Sequence, residues 1–241
     1  MNKNYELTDE TIHYNGRTLH RIRATRDLPD HEVKSGDLGG YVESMDNLSD
    51  NAWVNDEAKV YGNAHVTDNA RVYENAQAYD NAELLGNIYV TEDSRVYGNA
   101  RVFENAWVFG NASVYGSACV SGDAYVFDDA LVHDNARVYG NAEVYDNARV
   151  SGNTRIYGNS RVAGNARVSG KARVSGEAFI YDNAQVTGNT QVSDDAEVTD
   201  SAQVSGNAQV YDCAFVAGNA QVSGNAQVCD YAKLTGNDCA T

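Results

Sequence analysis

The sequence predicts an all-β fold, a single-stranded parallel β-helix with 18 residues per coil and about eleven coils, behind a small N-terminal β-hairpin cap. Three observations predict it. From Asn51 to Gly236 the chain divides into 31 hexads of consensus N-A-x-V-x-G/D with no insertion or deletion. Position 4 is Val in 26 of them, with Ala78, Leu84, Ile156, Ile180 and Leu234 in the others. Position 6 is only ever Gly, Asp or Glu, in 17, 11 and 3 hexads. A fixed short period is the signature of a solenoid, in which each repeat contacts only its neighbours.

A period of six excludes an amphipathic helix, because successive valines would wander round its surface instead of forming a stripe. In extended conformation x-V-x is a three-residue strand, with valine on one face and its neighbours on the other. The G/D-N pair that follows is turn chemistry, since Gly, Asn and Asp tolerate positive φ. Three strands and three corners close a triangular coil. Valine then points inward, and the alanine of position 2 (26 of 31 hexads) fills the space near each corner. Residues one coil apart become neighbours at ~4.8 Å. A slip of one residue would turn a face inside out.

In chain order, residues 1–38 form the cap and 39–241 the repeat domain. "IHYNGRTLHRI" (12–22) is expected to be a hairpin turning at Asn15-Gly16, covering the otherwise open backbone edge of the first coil. "GGYVES" (39–44) and "MDNLSD" (45–50) keep Val42 and Leu48 in phase, which extends the array to 33 hexads. "NDCAT" (237–241) begins another hexad and leaves the last coil bare in this reading, so self-association through this uncapped C-terminal coil is expected as an alternative to the aromatic face described below.

The V-Y-G-N-A-R pattern, an aliphatic residue followed four positions later by a small one, resembles the hexapeptide-repeat superfamily. That resemblance implies a left-handed β-helix. The opening "GDLGGYV" (36–42), leading through "NLS" (47–49) into "NAWV" (51–54), is similar to capped β-helix proteins of enterobacteria and phages. Some of those carry an acyltransferase label that rests on fold. The phage-like resemblance also implies a role as an inhibitor that binds a host defence or nucleic-acid-binding protein.

No apolar run approaches the ~20 residues of a membrane span and no signal peptide opens the chain, so neither membrane nor secretion is expected. Cys119, Cys213, Cys229 and Cys239 share no register that would set two of them side by side, and they are read as reduced thiols of a cytoplasmic protein.

The net charge of −16 is banded: −12 over residues 39–136, +5 over 137–173 and −8 over 174–241. Regularly spaced carboxylates could compete with nucleic acid for a basic protein groove, or simply keep the surface solvated. Direct nucleic-acid binding is not expected. The basic band is Arg137, Arg149, Arg155, Arg161, Arg167 and Arg173. Arg137, Arg155 and Arg173 share one slot on consecutive coils, and Arg149 and Arg167 share another. Like charges stacked this way need counterions, corner carboxylates or an anionic partner.

Aromatic residues are the second outward feature. One column runs Tyr61, Tyr79, Tyr97, Tyr115 and then His133, and fits simple stacking. Another face presents Tyr89, Trp107, Phe109, Tyr125, Phe127 and Tyr145, where contiguous exposed apolar area would mark an interface for a protein partner or a second copy. Past Val150 the first column becomes Ser151, Ser169, Thr187, Ser205 and Ser223, beside Gln185, Gln203 and Gln221. These polar ladders are expected to be structural.

Three function classes follow. The hexapeptide-repeat resemblance implies that an acyltransferase would carry a histidine base near a subunit boundary and an excursion loop that helps hold the donor. The hexads contain no loop, and His65 and His133 sit in outward strand slots. No Ser-His-Asp order, phosphate loop or zinc spacing is present, so no catalytic residue, metal or cofactor is expected. A non-catalytic interaction module fits the charge bands and the aromatic face. Carbohydrate stacking on Trp107 is a third class, alongside a purely structural solenoid. Ice binding is set aside, because no hexad has Thr at both positions 3 and 5.

Overall fold

The computed structural model describes residues 4–241. It is a parallel β-solenoid of about eleven turns, 18 residues per turn, with an antiparallel N-terminal hairpin and no α-helix among the described residues. The chain divides into two compact units, Met1–Ser117 and Ala118–Thr241.

In the first unit, β1 (Tyr5–Tyr14) and β2 (Arg17–Ala24) form the hairpin. Its two-residue turn has positive φ at both Asn15 (49°) and Gly16 (76°), the geometry that favours Asn-Gly between twisted strands. β2 pairs antiparallel with β3 (Leu38–Val42), and β3 pairs parallel with Lys59–Val60. The hairpin therefore lies in the sheet of one face and covers that sheet's edge. Its tip also reaches along the face: Tyr14 meets the Tyr61 ring edge-on at 5.9 Å and donates to Gln77 Oε1 at 3.1 Å. From there the strands pair in parallel with their counterparts one coil on, as in Gln77–Ala78 with Arg95–Val96, Tyr89–Val90 with Trp107–Val108 and His65–Val66 with Glu83–Leu84.

The second unit repeats this on all three faces. Its sheets run from Leu131–Val132 to Cys239–Ala240, from Tyr125–Val126 to Lys233–Leu234, and from Cys119–Val120 to Gln227–Val228.

Each repeat strand has two residues, positions 3 and 4, rather than the three expected. Position 5 still donates to the next coil, as Tyr79 N–H does to Val96 O at 3.1 Å. Its carbonyl, however, accepts from the alanine three residues on (Ala82 N–H, 3.3 Å). That bond bends the backbone, so position 5 belongs to the corner. The core is the stack of position-4 and position-2 side chains, almost all of them fully buried. At three of the four Ser or Thr residues in position 2 the buried hydroxyl turns back to its own corner: Ser94 Oγ donates to Thr91 O at 2.7 Å, Thr154 Oγ1 to Ser151 O at 2.6 Å and Ser160 Oγ to Tyr157 O at 2.9 Å, whereas the Thr190 hydroxyl is buried without a partner. That accounts for alanine-sized polar residues in an otherwise apolar slot.

Position 6 has positive φ in all 31 hexads, the reason for its narrow alphabet. Aspartate there has a further task. Its carboxylate accepts the N–H of the same corner one coil on, as Asp134 does from Gly152 (3.0 Å) and Asp146 from Gly164 (3.0 Å). The Gly152 N–H, and then His133, hold the Asp134 carboxyl below its ordinary range. Position-1 asparagines form a second ladder, Asn63 Nδ2 to Asn81 Oδ1 at 2.9 Å and Asn81 Nδ2 to Asn99 Oδ1 at 3.0 Å.

The segment after the hairpin covers the start of a second face. Trp53 is fully buried, and His31, at the end of the 3-10 turn Pro29–His31, meets the Tyr73 hydroxyl at 3.4 Å. Burial, and then the neighbouring Arg71 cation, lower the His31 pKa against the opposing pull of Asp30.

Two outcomes are expected. At Gly188 a Cβ would lie 2.6 Å from Gly206 O, whereas at Gly236 it would meet nothing within 4 Å. Both need positive φ, which costs an alanine ~1–2 kcal/mol; Gly188→Ala should exceed Gly236→Ala by about that much again, measured by denaturant unfolding, and equal costs would contradict the corner geometry. For His31, a lowered folded pKa means that the unfolded chain binds more protons in acid. Its docking is therefore fully favourable above 6.5 and weakens as pH falls below that value. Thermal melts of wild type should show a loss on acidification that is smaller in His31→Gln.

Candidate interaction site

Outward side chains leave the wall at positions 3 and 5, and the coil-to-coil pairing turns each position into a column. In the first unit the position-5 column stacks face to face. Tyr61, Tyr79, Tyr97 and Tyr115 have ring centroids 5.0, 4.8 and 4.9 Å apart with planes within 4° of parallel. Asn15 Nδ2 donates to the Tyr61 hydroxyl at 3.2 Å, so this column anchors the hairpin tip. Burial, then the flanking Tyr97 and Tyr61 phenols, push Tyr79 up to about 12.

The expected interaction face of this unit is built differently. Tyr89 and Trp107 stack at 4.3 Å with planes 27° apart. The Arg71 guanidinium lies 4.6 Å above the Tyr89 ring and donates to its hydroxyl at 2.5 Å. Arg71 also donates to Asp30 O in the segment after the hairpin. The result is a cation–aromatic–aromatic stack of the kind that stiffens by both ring contact and charge. Arg71 and Asp30 were not legible as parts of this face, because they lie 41 residues apart in sequence. Tyr89, Trp107 and Phe109 are half-buried, less open than the sequence suggests, because rings in a column cover one another.

In the second unit Tyr125 is 36% exposed, and Phe127 stacks on Tyr145 at 4.9 Å. Tyr139 stacks on Tyr157 at 5.1 Å. The basic band is wholly exposed: Arg137, Arg155 and Arg173 pair in register on one face and Arg149 with Arg167 on another. Arg161, on the third face, lies 4.6 Å over the Phe179 ring.

His65 lies between Ser49 Oγ (3.0 Å) and Asp46 O (3.0 Å), and His133 Nδ1 lies 3.3 Å from Asp134 Oδ1. The four cysteines are free thiols. One cluster among the described residues has metal-ligating groups close together: Asp212, Cys229 and Asp230, with ligand atoms within 4.8 Å. It mixes a soft thiol with two exposed hard carboxylates, a set that specifies no one metal. Among the described residues no helix is long and apolar enough to cross a membrane.

A family model described as YdcK Beta solenoid repeat matches residues 94–110, 142–158 and 178–194, each close to one coil. No curated protein matches the chain. Together with the strand ladders, the matches identify a repeat β-solenoid protein.

Proposed function

We propose that this chain is a non-catalytic protein-interaction module whose aromatic patches, Tyr89, Trp107 and Phe109 in the first unit and, separately, Tyr125, Phe127 and Tyr145 in the second, are surfaces a protein partner reads. The observation that carries this reading is the Arg71–Tyr89–Trp107 stack. Its rings are held in a fixed orientation by neighbours on both sides of Tyr89, and rigid aromatic side chains contribute contact area at little entropic cost.

The partner class follows from charge. Residues 39–136 carry −12, which favours a basic partner such as a protein that binds nucleic acid. An inhibitor of a host defence protein, as the capped phage and enterobacterial resemblance implies, is the concrete form of this reading, within the hexapeptide-repeat superfamily. The corner aspartates that accept backbone N–H groups already serve the fold.

The test is capture of partners from a bacterial extract by wild type and by Trp107→Ser/Phe109→Ser, at low and high salt. A partner held through the aromatic face should survive high salt with wild type and be lost, roughly tenfold or more, with the variant, since aromatic anchors typically contribute about 2 kcal/mol or more. The captured protein should also lose nucleic-acid binding when the solenoid is added. The rival reading is an acyltransferase with sites between subunits, and calorimetry with acetyl-CoA decides it. Micromolar binding that is lost in His65→Ala or His133→Ala would replace the interaction module with an enzyme.

A further inference from the structure

One face of the second unit changes sign along its length. Its strands Arg137–Val138, Arg155–Ile156, Arg173–Val174, Gln191–Val192, Gln209–Val210 and Gln227–Val228 pair in that order without a register shift. Position 3 is arginine in the first three coils and glutamine in the last three. The corner that follows is glycine in the first three and aspartate (Asp194, Asp212, Asp230) in the last three. Each half therefore holds three like charges in a column at ~4.8 Å pitch, an unfavourable arrangement for directly opposed side chains.

The two halves are not equally relieved. The Asp194 carboxylate accepts from Asp212 N–H at 3.3 Å, and the Asp212 carboxylate from Asp230 N–H at 3.1 Å. Among the described residues, Arg137, Arg155 and Arg173 have no carboxylate within ion-pair distance, and all three are exposed.

The geometry points to a second copy of this chain as the occupant of this face, lying antiparallel about a two-fold axis that runs parallel to the strands between the coils of Arg173 and Gln191. That operation sets Arg173 against the coil of Asp194, Arg155 against that of Asp212 and Arg137 against that of Asp230, each twice. The two copies share one pitch because they share one fold, so all three steps align together. A two-fold interface must be self-complementary, and position 5 follows the same symmetry over its four inner coils, with Tyr139 against Cys229 at the ends. It reads Tyr139, Tyr157, Ser175, Ser193, Tyr211, Cys229, so two serines meet at the centre and Tyr157 faces Tyr211. The glycine corners beside the arginines leave room for the incoming carboxylates. Six hexads, each ~20 Å long and ~4.8 Å wide, cover about 600 Å2 per copy, at the low end for specific complexes. The dimer should therefore be weak and sensitive to salt.

Sedimentation of the full chain over a range of concentration and salt tests this, with a chelator present so that a metal at Asp212 and Asp230 cannot serve as the bridge. The expected result is a dimer at low salt. Arg155→Glu inverts two ion pairs at once and should weaken it by about tenfold or more. Adding Asp212→Lys to that variant should restore it. Arg155→Gln, with circular dichroism on every variant, guards against a folding defect and should give an intermediate loss. A monomer at low salt, a dimer as tight in Arg155→Glu as in wild type, or a double variant no tighter than Arg155→Glu would overturn the proposal.

Discussion

The backbone hydrogen bond from each coil to the next is the constraint on which everything else rests. Tyr79 N–H reaches Val96 O, Tyr157 N–H reaches Val174 O, and the same step recurs through both units. Because the step is always one whole coil, whatever side chain leaves one coil is set directly over its counterpart in the next. The fold thus converts a sequence period into columns of identical chemistry, and the merit of each column depends on how that chemistry tolerates itself.

Some residue types tolerate it well. Asparagine amides donate and accept in sequence, tyrosine rings stack, and valine side chains are buried one above another in the core. Aspartate is a mixed case. Its like-charge repulsion is offset where the carboxylate accepts the corner N–H of the next coil, and this explains how so many acids fit at one position. Arginine has no such outlet on the face of Arg137, Arg155 and Arg173. Stacking that favours the fold elsewhere leaves charge there unanswered. The surface is therefore not a neutral by-product of the core: the ladder that stabilises the interior also dictates which outward columns are satisfied.

Most of the fold was legible because it is written locally. The hexad register marks the strands, the restricted alphabet at position 6 marks the corners, and Asn15-Gly16 marks the hairpin turn. What escaped depends on distant contacts or on hydrogen bonds within the corner. The strands are shorter than the x-V-x pattern implies, since the position-5 carbonyl is claimed by the following alanine. Tyr73 looks outward by register, but His31 meets its hydroxyl, and nothing in a one-dimensional pattern announces that. The candidate face was legible as a set of aromatic positions. Its geometry was not, because Arg71 and the Asp30 carbonyl join it only in three dimensions, and because rings placed above one another hide much of their own area.

The uniform step has a genealogical consequence. Every repeat contact spans the same separation in sequence, so a coil's surroundings are set by its two neighbours and hardly at all by how many coils lie beyond them. Duplicating or excising one whole coil would keep every column on its face and ask nothing new of the residues on either side. Duplicating a single hexad would rotate all that follows by one face, setting the tyrosines of the Tyr61 column against a face that carries Thr67, Leu85, Phe103 and Ser121 at the same position. Lineages of such proteins should therefore grow and shrink in whole coils, with the hexad preserved as a fossil of the unit from which the coil was first assembled.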